Sequence, residues 1–196
     1  MNKAEKTRKH IIERTAPVFN KKGYYATSMA DITKATGLTK GAIYGNFPDK
    51  EALTIAALEY NINQLNQKIE SRIDEVSTVK EKFSAYLEVF ENVAPEVLQY
   101  GGCSYMNSAI ETDDTNPELF KIVQDKFKNW IHGTEKLVLL GLESGEIKPD
   151  TNPTEFALFF VAIVEGSILL SKTLNNPKPI HSNLNILRDR INAILL

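Results

Sequence analysis

The chain has 196 residues, 42% apolar and 24% charged, with a formal net charge of −2. That apolar content supports one sizeable core, or a small module joined to a larger one, and so small a net charge by itself argues for neither a nucleic-acid binder nor an acidic scaffold. The distribution is more telling: residues 1–50 hold ten Lys or Arg against four acids, a balance of +6 that leaves −8 for the remainder.

A head of that charge faces something anionic, DNA phosphate or a lipid headgroup, unless it is merely a solvated basic face. The opening MNKAEKTRKH lacks the apolar centre of a secretory signal, so nothing is expected to be cleaved or exported. Its Lys3, Lys6 and Lys9 form a basic arm, read either as a minor-groove or backbone contact or as a flexible tail. Ile11, Ile12, Thr15, Ala16 and Phe19 stripe a first helix that ends before Lys21-Lys22-Gly23. Ser28 and Asp31 have the capping-box form, with Met29, Ile32 and Ala35 as the inner face of a short second helix broken at Gly37. Thr39 caps a third helix reaching about Tyr44, with Leu38, Ile43 and Phe47 turned inward. Pro48-Asp49 then opens a long helix, Glu51 to about Ile73, in which Leu58, Ile62, Leu65 and Ile69 recur at i, i+4, i+7 and i+11.

Thr78 and Glu81 make a second capping box, ahead of a helix with Val79, Phe83, Tyr86, Leu87 and Phe90 on one face. Cys103 is the only cysteine, which excludes an intrachain disulfide and a cysteine-rich zinc site and suits the reducing cytoplasm. Glu111, Asp113 and Asp114 lie together at a helix end or loop where solvation accounts for them. Two Asn-Pro pairs, Asn116-Pro117 and Asn152-Pro153, predict helices from Pro117 to about Ser144 and from Pro153 to about Leu174. The latter carries FALFFVAIV, a nine-residue apolar run far below the roughly 18–20 residues that span a bilayer, so it reads as a buried helix and no membrane segment is expected. A final helix holds Leu184, Leu187, Ile191 and Ile194 after the break at 175–179. The fold class is therefore all-α, about nine helices, with residues 1–50 as a helix-turn-helix head and 51–196 as a larger helical domain.

Two helices joined at a glycine turn, with a third packed across them, place the second of the pair in a major groove. Thr39, Lys40, Gly41 and Tyr44 share its outer surface: Gly41 permits close approach, Lys40 donates to a guanine edge or a phosphate, and Tyr44 suits a phosphate or a thymine methyl. Asn46 and Lys50 mark a phosphate clamp at the next helix start, and Thr27 or Ser28 another. GYYATSMADITKATGLTKGAIYGNFPDKEAL, residues 23–53, resembles the DNA-binding domain of the tetracycline-repressor (TetR) family of bacterial transcriptional regulators: the Gly-Tyr, the Thr-Ser cap, the Asp-Ile pair, the turn Gly, Lys-Gly-x-Ile-Tyr, the Phe and Lys-Glu-x-Leu occur in order. The resemblance implies a phosphate-contacting role for Tyr44, a recognition-helix pair in Thr39 and Lys40, and a helix-four lysine in Lys50. Asn46 stands where many members have His, which keeps a hydrogen bond to phosphate and removes a pH-sensitive charge.

One such module reads only a few base pairs, so a homodimer on a palindromic operator is expected, its recognition helices about 34–36 Å apart. Phe156, Phe159, Phe160, Ile163, Val164, Ile168 and Leu169 cover more than one face of their helix; with Ser167, Leu184, Leu187, Ile191 and Ile194 they nominate a four-helix interface of the kind the resemblance implies. Phe83, Tyr86, Phe90, Cys103, Tyr105, Met106, Asn107, Ile110, Phe127, Trp130 and Ile131 have the makeup of a pocket for a small hydrophobic or aromatic effector, and equally of an ordinary core. GGCSYMN, residues 101–107, resembles a Gly-Cys-x-x-x-Asn stretch in a subgroup of TetR-like C-terminal domains, and Cys103 there is either a thiol sensor or an inert core residue. An effector preferring the form with its recognition helices too far apart would release a repressor from DNA. His10, His132 and His181 are dispersed and no HxxxH, phosphate loop or GxSxG appears, so neither an enzyme nor a metal or cofactor is expected. A helical interaction module whose basic head meets membrane or protein is the remaining alternative.

Overall fold

The computed structural model describes residues 1–196. Nine helices follow in chain order: α1 Lys3–Lys22, α2 Met29–Thr36, α3 Lys40–Tyr44, α4 Lys50–Asp74, α5 Val79–Gln99, α6 Ser104–Thr112, α7 Pro117–Ser144, α8 Pro153–Thr173 and α9 Lys178–Ile194. Their ends follow from capping chemistry. The Ser28 hydroxyl accepts from Asp31 N while the Asp31 carboxylate accepts from Ser28 N, and Thr78 and Glu81 repeat the pattern at α5. Asn116 Oδ1 accepts from Leu119 N at α7, and Asn152 Oδ1 from Thr154 N and Glu155 N at α8. The amino-terminal arm is not a tail: Asn2 and Glu5 form a capping box, so Lys3, Lys6 and Lys9 lie on α1.

The chain forms two compact units, Met1–Leu65 with Tyr100–Val123, and Asn66–Gln99 with Gln124–Leu196. The first therefore holds α1 to α3, the first part of α4, α6 and the opening of α7. Its core is built from Ile11, Phe19, Ile32, Ile43, Phe47, Leu53 and Leu58, each no more than 2% exposed. Burying one such side chain contributes about 1.5–3 kcal/mol. That burial is what sustains α3, since a five-residue helix is far below the length at which an isolated helix persists.

In the second unit α8 and α9 pack along each other and both pack on α5. Phe83 meets Phe156 edge-on at 5.6 Å between ring centroids, Tyr86 meets Phe160 at 5.1 Å, and Phe90 stacks on Trp130 at 6.1 Å. This core takes up most of the residues nominated for a dimer surface: Phe156, Phe160, Val164, Ser167, Ile168, Leu184, Leu187, Ile191 and Ile194 are buried, Phe159 and Ile163 are half-buried, and Leu169 is 47% exposed. A strongly apolar helix satisfies its own core first, and the apolar residues that do not fit there remain outside. On α8 Leu158 and Leu169 share one exposed side and Leu170 lies about a quarter turn from it, while Leu174 just beyond the helix end and Ile186 on α9 are exposed as well. By length and composition α8 is also apolar enough to cross a membrane, with mean hydropathy 1.7 over an 18-residue window, which the count of one uninterrupted run missed. Its packing is that of a core helix, since Phe156, Ala157, Phe160, Val161, Val164 and Ile168 are buried inside the second unit.

Candidate nucleic-acid interface

The helix-turn-helix is assembled by local chemistry. Gly37 ends α2 in the left-handed region at φ 71, which favours glycine because it has no Cβ to clash, and its N–H donates to Thr33 O. Two residues on, the Thr39 hydroxyl accepts from Ala42 N at 3.2 Å and starts α3. Ile43 and Phe47 are buried at 2% and 1%, so the opposite side of α3 is turned to solvent: Thr39, Lys40 and Gly41 are exposed, and Tyr44 is 41% exposed. Lys40 Nζ lies 5.7 Å from the Tyr44 ring centroid, which holds both groups on one patch. A Cβ at position 41 would meet only Thr39 Oγ1, 4.0 Å away. Glycine costs a helix about 1 kcal/mol relative to alanine, and the fold has room for alanine here, so no contact inside the protein requires Gly41.

The start of α2 is held electrostatically. Lys22 Nζ sits 2.6 Å from Asp31 Oδ2, and the Ser28 hydroxyl and amide donate to the same oxygen. The Lys22 ammonium first, then Ser28, holds the Asp31 carboxyl well below the usual carboxylate range. A depressed folded-state pKa stabilises the fold above the ordinary carboxylate value of about 4, and the contribution is lost as pH falls below it. Asp31→Asn is thus expected to lower the unfolding temperature at about pH 7 and to shrink the drop seen on acidifying to about pH 3. Thermal melts of both proteins at the two pH values check it.

Three other sequence-nominated residues turn to internal partners. Thr27 is fully buried, its hydroxyl donating to Gly23 O at 2.6 Å, so it closes the α1–α2 turn, and of the pair only Ser28 is exposed. Asn46 Nδ2 donates to Ala42 O at 2.8 Å, finishing α3. Lys50 Nζ donates to Tyr25 O at 2.9 Å, tying the start of α4 to the α1–α2 turn. The sequence reading missed the residues of α1 that brace the module. Arg8 lies 4.0 Å over the Phe47 ring and donates to Asn46 O at 2.7 Å, while His10 Nε2 pairs with Thr36 O at 3.0 Å and Arg14 Nε donates to Ala35 O at 3.2 Å. Polar groups at 10 and 14, one turn apart beside the Ile11 and Thr15 stripe, were the available signal, because the last carbonyls of a neighbouring helix need donors.

The effector-pocket candidates divide between the units. Phe83, Tyr86, Phe90, Phe127, Trp130 and Ile131 belong to the second, where the aromatic cluster joins the first five of them. Cys103, Met106, Asn107 and Ile110 belong to the first: Cys103 is buried, Ile110 is 69% exposed, and Asn107 donates to Asn20 and Gly101. A cavity of about 10 Å³ lies among Phe90, Val93, Ala94, Val97, Val164, Ser167, Ile168, Ile180 and Leu184.

Two family models match the chain: bacterial regulatory proteins of the tetR family over residues 11–57, and the tetracyclin repressor-like C-terminal domain over 79–187. The HTH-type transcriptional repressor DhaR of Mycobacterium sp. (strain GP1) is 29% identical over 183 residues, covering 91% of this chain and 89% of that protein. The HTH-type transcriptional regulator LmrA of Bacillus subtilis (strain 168) is 28% identical, covering 89% and 90%. Among solved structures, a TetR-family transcriptional regulator from Cytophaga hutchinsonii aligns with a TM-score of 0.90 at 36% identity, over 100% of this chain and 98% of that one. A TetR transcriptional regulator from Chloroflexus aurantiacus J-10-FL aligns at 0.92 and 33% identity, over 100% and 98%. With both halves matched in order and the short helix α3 presented outward on a buried apolar back, the chain belongs to the TetR family of transcriptional regulators, and it is not an enzyme.

Proposed function

We propose that this regulator is a cytoplasmic repressor that binds a palindromic operator as a homodimer and is released by a small hydrophobic or aromatic effector. The observation that carries the DNA-reading part is the outward patch of Thr39, Lys40, Gly41 and Tyr44 over buried Ile43 and Phe47. Ser28 adds a phosphate contact at the α2 start, and Asn46 and Lys50 contribute by fixing the ends of α3 and α4. Repression is the direction supported by the name of the mycobacterial relative.

The dimer reading rests on the exposed side of α8. Leu158, Ala162, Gly166 and Leu169 follow one another at helical spacing there, and a Cβ at Gly166 would meet nothing within 4 Å inside the protomer. A mid-helix glycine with no internal reason suits a second copy of α8 crossing closely. We assign residues 1–50 to DNA reading and 51–196 to dimerisation and sensing, with α4 as the lever, since it runs from one unit into the other. Organic ligands occupy sites of about 300–1,000 Å³, so the 10 Å³ cavity beside Phe90 admits an effector only by opening. An effector that prefers the opened form shifts the equilibrium by its differential affinity and by no more.

Selection of bound duplexes from a random DNA pool at near-physiological salt tests the proposal. Enrichment of a palindrome with half-sites about one helical turn apart is the expected result. A folded dimer that enriches no sequence would refute the operator reading.

A further inference from the structure

The residues at the end of α1 and on α6 engage one another more closely than packing alone requires. Asn20, 8% exposed, donates through Nδ2 to Tyr100 O and to Gly102 O, both at 2.9 Å. Asn107 Nδ2 answers from α6, donating to Asn20 Oδ1 at 3.1 Å, Asn20 O at 3.2 Å and Gly101 O at 2.9 Å. Gly101 has φ +110, and a Cβ there would stand 2.6 Å from Asn20 O, so the glycine lets the α5–α6 turn sit directly on the α1 backbone. One turn further along α6, the two Glu111 oxygens accept from Tyr24 N at 2.8 Å and Tyr25 N at 2.7 Å. Those amides belong to the turn whose Tyr25 carbonyl also holds Lys50 and which runs through buried Thr27 into the Ser28 cap of α2.

We propose that Asn107 and Glu111 of α6, together with Asn20 of α1, are positioning residues for DNA reading: a two-point latch by which α6, outside the reading head, grips it and sets the attitude of α2 and α3. The glycine, cysteine and asparagine stretch from 101 to 107 then serves the head through its glycine and asparagine. The proposal rests on the DNA-binding reading, and its test separates the two.

Glu111→Gln leaves one acceptor oxygen and sets an NH₂ against an amide donor, opening half of the grip. In the full-length protein it is expected to raise backbone hydrogen exchange at Tyr24 and Tyr25 about tenfold, with a single cooperative unfolding transition retained. It is expected to weaken operator binding about fivefold while leaving affinity for random-sequence DNA unchanged, a difference that loss of stability alone would not produce. Should Glu111→Gln not fold cooperatively, Asn107→Ala carries the same measurements at the other end of the latch. Wild-type exchange at Tyr24 and Tyr25 together with wild-type operator affinity would overturn the latch. Exchange is read without DNA, so a failed DNA reading shows instead as raised exchange in a protein that selects no operator.

Discussion

Replacing Lys40 and Tyr44 together by alanine is expected to weaken operator binding by roughly a hundredfold or more and to leave the fold and the oligomeric state unchanged. Contacts of this kind each contribute about 1–3 kcal/mol, so losing two removes about 2–6 kcal/mol, and a hundredfold corresponds to about 2.8 kcal/mol. The cost to the protein is small, because Lys40 is exposed, Tyr44 is 41% exposed, and neither forms the core behind α3. Surface substitutions of this sort stay within about 0.5 kcal/mol, and alanine is the better helix former. The measurement is fluorescence anisotropy on the selected operator and on a scrambled duplex across a salt series. Specific binding that survives the double change would mean that α3 is not the reader. A shallower salt dependence would assign Lys40 to a phosphate, while an unchanged slope with lost discrimination would assign it to a base edge.

Local chemistry was legible in the sequence, and long-range pairing was not. The ends of α2, α3, α5, α7 and α8 follow from Ser28, Thr39, Thr78, Asn116 and Asn152, since a cap is a contact between residues two or three apart. The outward patch on α3 was legible because it, too, is local: Thr39, Lys40, Gly41 and Tyr44 lie within six residues, beside the apolar Ile43 and Phe47 that take the buried side. Glu111 was read as a solvated acid at a helix end, yet its carboxylate holds amides 86 and 87 residues away. Asn107 was read as a polar handle in a pocket, and its partner Asn20 lies 87 residues distant. No local period marks an acceptor for amides elsewhere in the chain. The interface candidates pose a different question: apolar spacing identifies which residues avoid water without saying whether the cover comes from the same protomer or another.

That distinction decides how dimerisation is tested. Phe160 has no exposed surface and touches Phe83, Tyr86 and Phe156, so Phe160→Asp would bury a carboxylate in the core and unfold the second unit, whatever the oligomeric state. Leu169 is 47% exposed, and an aspartate there remains in water as long as the protomer is alone. In a two-fold dimer packed along α8, the substitution is made twice, desolvating two carboxylates and setting them near each other. Leu169→Asp is therefore expected to keep wild-type helicity and cooperative melting while raising the dimer dissociation constant by roughly a hundredfold or more, read by sedimentation at micromolar concentration. Operator affinity should fall with it, because an isolated head keeps one half-site of contacts and loses the second, whereas affinity per head for a single half-site should be unchanged. A stable dimer of the Leu169→Asp protein would move the interface off the exposed face of α8, and a monomer with full operator affinity would remove the need for a dimer altogether.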